Sequence, residues 1–238
     1  MIRNIFLLSI AFSFLVSCNT ADSDNTMTLK GHIKDLRKGT VLLERFVDSA
    51  YIAIDSANIY GDSNFEFKKE LESSEVLHLH LRLDNGSLVE DRVSFFAEPG
   101  EITLYTKLSD FSDARVEGSK NHELLLTYYQ LAKRYQDRNL ELIVEEFNAK
   151  KEGNDSLIQS VENKKNGLIR SSYLATVNFA LQHAEHEISP FVMVYETPNI
   201  SVRYLDTVYN SLSDKVRLSG YGKELKSRIT DLNEMLED

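Results

Sequence analysis

A second cysteine is missing from this chain: Cys18 is the only one among 238 residues. That excludes an intrachain disulfide and a Cys-x-x-Cys redox motif. Positive charge is also scarce. Against 37 Asp and Glu stand 27 Lys and Arg, a net of −10. Nucleic-acid binding needs basic side chains to replace the counterions of the phosphates, so no nucleic-acid partner is expected. A polybasic membrane patch is excluded on the same ground. Long apolar runs are confined to the first 16 residues, and no later stretch is long and apolar enough for a membrane-spanning helix. There is no Gly- or Pro-rich linker, no internal repeat and no low-complexity tract.

What is present begins with a targeting signal. Met1-Ile2-Arg3-Asn4 carries one positive charge, and Ile5 to Val16 is almost unbroken apolar sequence, ending Leu15-Val16-Ser17-Cys18. A basic start, a short apolar core and small residues at a cleavage point make a secretory signal, and the apolar run is too short to span a bilayer. The Leu-Val-Ser-Cys ending resembles a lipobox, where bacterial lipoprotein processing attaches a diacylglycerol to the cysteine sulfur and cleaves before it. No Ala-x-Ala type site competes. We therefore expect residues 1–17 to be a signal peptide and Cys18 to be lipidated, which anchors the mature chain stably once two or three acyl chains are present. Residues 18–27 are short and polar and read as a tether. Asn19, where an Asp would signal inner-membrane retention, favours the outer membrane.

The remainder divides by periodicity. Before residue 119, apolar and polar residues alternate in short runs: Leu29, Gly31, Ile33; Phe65, Phe67; Leu77, Leu79, Leu81, Leu83; Ile102, Leu104. Period two is the strand signature. Turn chemistry separates the runs, as at Gly61-Asp-Ser-Asn64, Asp84-Asn-Gly86 and Glu98-Pro-Gly100. From about Asn121 the period becomes helical. Leu124, Tyr128, Leu131 and Tyr135 form one stripe. Asn154 or Asp155 can cap a second helix through Leu157, Ile158, Val161, Leu168 and Ile169. Ser189-Pro190 reads as a cap followed by proline, Ser201 as another cap, and Leu225, Ile229, Leu232 and Leu236 as a last stripe. The expected fold class is α+β. An N-terminal antiparallel β-sandwich or open barrel of seven or eight strands covers residues 28–118, and a helical domain covers 119–238. With no linker between them, at least the first helix should pack on the β domain through Leu124, Tyr128 and Leu131.

The β half contains Leu29-Lys-Gly-His-Ile33, Ile54-Asp-Ser-Ala-Asn-Ile59, Gly61-Asp-Ser-Asn-Phe-Glu-Phe67, Phe95-Phe-Ala-Glu-Pro-Gly-Glu-Ile102 and Val116-Glu-Gly-Ser-Lys-Asn121. In this order and spacing it resembles an uncharacterised domain, a domain of unknown function, at the N-terminus of many Gram-negative envelope lipoproteins. In much of that family a helical segment and then a thioredoxin-like thiol-disulfide oxidoreductase or peroxiredoxin domain follow. The stretches His186-Glu-Ile-Ser-Pro-Phe191, Tyr209-Asn-Ser-Leu-Ser-Asp214 and Ser219-Gly-Tyr-Gly-Lys-Glu-Leu225 are similar to that helical segment. This sequence ends at Asp238, about where the redox domain would begin, and the active-site cysteine pair is absent. Only the non-catalytic half of the family architecture is therefore implied.

Candidate chemistry is thin. His78 and His80 project from one face of a strand and could supply two metal ligands, but no third stands at motif spacing, and solvated strand histidines fit as well. His183 and His186 are expected three apart on one helix face, without the His-Glu-x-x-His order of a zinc hydrolase. Asp48-Ser49 and Asp55-Ser56 are adjacent pairs that cannot form a local catalytic triad. Gly220-Tyr221-Gly222 reads as a turn before the last helix, with no dinucleotide fingerprint around it. Asp48-Ser49-Ala50, Asp55-Ser56-Ala57, Asp155-Ser156-Leu157 and Asp206-Thr207-Val208 resemble a short envelope O-glycosylation acceptor. Strand or cap chemistry explains each of them. No catalytic residue, metal site or cofactor is expected. The expected function is a membrane-anchored envelope lipoprotein that binds a protein, peptide or glycan. The alternative is an accessory that docks a separate thioredoxin-like protein.

Overall fold

The computed structural model describes residues 25–237, so the signal peptide, Cys18 and most of the tether lie outside the described residues. Eight strands come first: β1 (Thr26–Lys34), β2 (Lys38–Val47), β3 (Ala50–Tyr60), β4 (Asn64–Glu70), β5 (Glu75–Leu83), β6 (Leu88–Ala97), β7 (Gly100–Lys107) and β8 (Asp110–Glu117). Six helices follow: α1 (Lys120–Glu152), α2 (Asp155–Gln182), α3 (Ile188–Tyr195), α4 (Val202–Ser211), α5 (Asp214–Leu218) and α6 (Gly220–Glu237). The α+β expectation holds.

The strands form two four-stranded sheets, ordered β4-β1-β7-β8 and β3-β2-β5-β6. Alternation places every second side chain between the sheets. Met27, Leu29 and Ile33 from the first sheet meet Val41, Leu43, Leu77, Leu79, Leu81 and Phe95 from the second in one buried core. Gly31 belongs to this inward set for a steric reason. It faces Phe65 across the β1–β4 ladder, and a Cβ there would come within 2.0 Å of the Phe65 ring. The sandwich is not wholly antiparallel, because β1 runs parallel to β7 from Met27↔Gly100 to Lys34↔Lys107. A strand from the start of the chain thus fills the gap between β4 and β7. The Asp48-Ser49 pair forms the β2–β3 turn, with φ of 48° and 67°. Two left-handed residues between Val47↔Ala50 give the hairpin turn that matches strand twist, which accounts for this Asp-Ser copy without any modification.

The helices form a second core, in which α1 and α2 make a long antiparallel hairpin. Ser119 caps α1 by accepting from His122 N, Gly153 closes it in the left-handed region, and Asn154 caps α2 by accepting from Leu157 N. Leu124, Leu125 and Tyr128 of α1 share this core with Phe96 of β6 and with α2, α3, α4 and α6. The first helix therefore packs on the β domain as expected, with Leu131 partly buried beside it. Val76 and Phe96 point outward from the second sheet into the helices, so the helical half sits on one end of that sheet's outer face. Among the described residues, no helix is long and apolar enough to cross a membrane.

Three local readings need correction. His183 and His186 do not share a helix face: α2 ends at Gln182, and both lie in the turn before α3. The chain must turn there because Ser189 bonds back to the Ala180 carbonyl and Ile188 N is drawn to Asn121. Ser189 is accordingly inside α3 and not its cap. Gly220 and Gly222 are not a turn before α6 but its first residues. A Cβ on Gly222 would lie 2.1 Å from the Val216 carbonyl, so the glycine lets α6 start against the end of α5.

Candidate functional site

The junction of sandwich and helices gathers buried polar groups around Asn121. Glu98 ends the β6–β7 approach just before Pro99. Its carboxylate accepts from the first-turn backbone of α1, at Lys120 N and at Asn121 N (3.2 Å). A carboxylate at a helix N-terminus meets unsatisfied N–H groups and the positive end of the helix dipole. The Asn121 amide donates to Glu98 (2.7 Å) and to Glu187 (3.0 Å), and its oxygen accepts from Ile188 N (2.9 Å). Asn121 and Glu187 are both buried, and Lys215 Nζ stands 4.0 Å from Glu187. Next to them His122 Nδ1 accepts from Phe96 N at 3.4 Å, and burial lowers its pKa against a smaller opposing pull from Glu98. One side chain thus ties the β6–β7 connection, α1 and α3 together. Three of the sequence stretches singled out above, around Glu98, Asn121 and Glu187, meet here.

Two clefts open beside this knot, on either side of the β4–β5 connection. One, of about 600 Å³, is lined by Asn25, Ser73, Glu98, Lys120, His186 and Lys215 among others. The other, of about 550 Å³, lies between Arg45, Phe46 and Glu75 of the sheet and Tyr195, Tyr221 and Glu224 of the helices. Arg45 clamps Glu75 with two bonds of 2.7 and 2.6 Å. Tyr221 accepts from Val76 N at 2.9 Å, and Gly220 N donates to Ser73 at 3.0 Å, which fixes α6 to the sheet. Burial raises the pKa of Tyr221, and burial together with the bond to Glu224 raises that of Tyr195. Phe96, Phe191, Tyr195 and Tyr221 pack edge to face, with Tyr195 half exposed at the cleft.

The outer face of the second sheet continues this surface. Phe46 packs tilted against Tyr51 at 4.9 Å, Tyr51 meets the edge of His78 at 5.0 Å, and the Arg92 guanidinium lies 3.9 Å over the Tyr51 ring. His78 and His80 do share this face, as expected. Among the described residues no group of three or more possible metal ligands converges. His80 is buried with both nitrogens taken, by Glu44 (3.2 Å) and by the Val89 carbonyl (2.8 Å). Glu44 in turn accepts from Arg92 at 2.7 Å. His78 bonds Ser94, and burial, then Arg92, lowers its pKa. Asp55 accepts from the neighbouring Ser56 backbone, and Thr207 bonds the Arg203 carbonyl within α4. Each is ordinary local chemistry.

The sequence reading missed Glu44, Arg92, Glu98, Asn121, Glu187 and Arg228. The last caps the α3 end through four carbonyls, Met193, Val194, Thr197 and Pro198. Glu98, Asn121 and Glu187 fell within stretches that the family resemblance picks out, but nothing in those stretches assigned them a role. The others join positions far apart in the chain.

Residues 27–125 match the family model described as a domain of unknown function, DUF4369. The match takes in the whole sandwich and the first turn of α1, hence Glu98 and Asn121, but not Glu187. No curated protein matches the chain. A solved structure titled pT26-6p is 11% identical over 84% of this chain and 42% of its own, with a TM-score of 0.21, too loose a likeness to bear on fold or function. The chain thus spans less than half the length of that neighbour.

Proposed function

We propose that this is a non-catalytic envelope lipoprotein, anchored through a diacylglyceryl group on Cys18, that binds a protein, peptide or glycan partner along the groove between the β3-β2-β5-β6 sheet and the helices. The observation that carries the reading is how the polar groups of this groove are used. Glu44, His80, Glu98, Asn121, Glu187 and His122 are all held by bonds inside the fold. What faces outward sets half-exposed rings, Phe46, Tyr51 and Tyr195, among exposed charged side chains such as Glu72 and Glu224. Exposed rings beside polar rims suit recognition of a partner.

Anchoring fits the same geometry. Asn25 lines the larger cleft, and the seven residues from Cys18 can span at most about 25 Å. A lipid on Cys18 would therefore hold the junction end of the molecule near the bilayer, with the groove beside it. Outer-membrane placement follows from Asn19 under this reading.

The test places a photo-crosslinking residue at Phe46 or Tyr195 in the anchored protein in its native envelope, with Tyr105 on the opposite sheet as control. A discrete product at the first two positions, lost on Tyr51→Ala, supports groove binding. Equal labelling at Tyr105 would refute it. A captured protein with a thioredoxin-type cysteine pair would favour the redox-accessory reading.

A further inference from the structure

Helix α1 is 33 residues long, about 50 Å at the helical rise, and extends well past the sandwich. Its distal half uses one face to hold α2. Leu142 and Ala149 are buried there, and Glu145 and Glu146 pair with Lys164 and Lys165. At 100° per residue, the opposite face carries Leu126, Tyr129, Leu140, Val144 and Phe147, with Ile143 at its edge. All six are 44–66% exposed. A surface helix that needed no partner would be polar on this side.

The spacing is informative. Leu126, Tyr129, Lys133, Gln136, Leu140, Val144 and Phe147 follow one another by steps of three and four, as residues that share one helix face do. Taking full residue areas of about 160–250 Å², the apolar members expose about 600 Å² on each chain, and flanking polar groups bring this near the roughly 800 Å² per partner of a stable interface. The seam is also self-complementary. Its apolar groups sit at both ends, and its polar ones, Lys133, Gln136 and Asp137, sit in the middle. Run antiparallel about a point between Gln136 and Asp137, the seam sets Leu126 against Phe147, Tyr129 against Val144 and the aliphatic stem of Lys133 against Leu140. Lys133 then comes within reach of Asp137 across the axis, the same partner it holds at 3.0 Å within its own chain. A parallel pairing would instead stack Lys133 on Lys133 and Asp137 on Asp137.

We infer that α1 is a dimer interface: two copies of this chain pair antiparallel through the Leu126–Phe147 stripe, across a two-fold axis near Gln136. A two-fold contact closes on itself and leaves no unpaired surface to propagate.

The experiment uses the chain from residue 18 with Cys18→Ser, which contains no other cysteine. Sedimentation at about 50 µM should give twice the monomer mass. Leu140→Glu and Phe147→Glu, at exposed positions, should each weaken association at least about thirtyfold, as a charge buried in an interface does, with thermal unfolding of the diluted monomer unchanged. Under oxidation, Gln136→Cys should form a disulfide-linked dimer and Lys151→Cys, at the far end of the seam, should not. A monomer at about 200 µM, association indifferent to Leu140→Glu, or linkage through Lys151→Cys in place of Gln136→Cys would each overturn the inference, the last by showing a parallel pair.

Discussion

Replacing Asn121 separates electrostatic from steric control of the junction. Its amide stands between two carboxylates, 2.7 Å from Glu98 and 3.0 Å from Glu187, while its oxygen satisfies Ile188 N at 2.9 Å. Asn121→Ala removes all three bonds. Glu187 is left buried with Lys215 at 4.0 Å, and Ile188 N loses its acceptor. Each orphaned buried group costs about 1–3 kcal/mol, and more where it is charged. Water entering from the neighbouring cleft returns part of this, so about 3 kcal/mol is expected, or some 6–12 °C in Tm for a chain of this size. Asn121→Asp has nearly the same shape but replaces two donors with acceptors and brings a third carboxylate between the other two. If charge governs the site, Asp must be worse than Ala at pH 7, and part of its deficit must return by pH 5 as the crowded carboxylates take up a proton. Urea unfolding followed by far-UV circular dichroism at both pH values gives the order directly. An Asp variant as stable as the Ala variant, or more so, would refute the reasoning, because shape and packing alone would then explain the position.

Leu124→Ala should cost about 2–5 kcal/mol and lower a single transition of the whole chain, since Leu124 shares a core with Phe96 of the sandwich; two separate calorimetric transitions would contradict this. Burial holds the folded-state pKa of His122 below its ordinary 6.5, so the folded form favours the neutral ring. Its contribution is full above pH 6.5 and is lost as the pH falls below that value, and His122→Gln should therefore narrow the stability gap between pH 7.5 and 5.5. An equal gap in the two proteins would count against it. Cys18→Ser should abolish incorporation of labelled fatty acid and release the chain from the membrane fraction, and persistent labelling would remove the lipoprotein proposal.

The strands could be read from sequence because burial on one face leaves a period-two trace, as in Leu77, Leu79 and Leu81 with His78 and His80 between them. The long helices could be read because Leu124 and Tyr128 fall on one side. What joins these elements left no such trace. Nothing in Leu29 or Ile33 reveals that β1 lies parallel to β7, since strand pairing is fixed by the partner's position and not by local pattern. The knot at Asn121 unites residues 23 and 66 positions apart. His183 and His186 looked helical because polar residues at a helix end carry no period. The turn there is imposed by bonds from Ser189 and Asn121 that only the assembled fold supplies.

The parallel β1–β7 ladder also bears on the order in which the chain can fold. Strand β1 is made first but acquires its second neighbour only after residue 100 has emerged, about 70 positions later. Until then it can pair only with β4, and its other edge exposes unpaired N–H and C=O groups flanked by Leu29 and Ile33. Such an edge readily recruits strands from other molecules. A fragment ending before Gly100 should therefore aggregate more readily than one that reaches Glu117. Slow closure of sheet β4-β1-β7-β8 is the kinetic step this topology imposes, because the loop between its two central strands must be ordered before their contacts form.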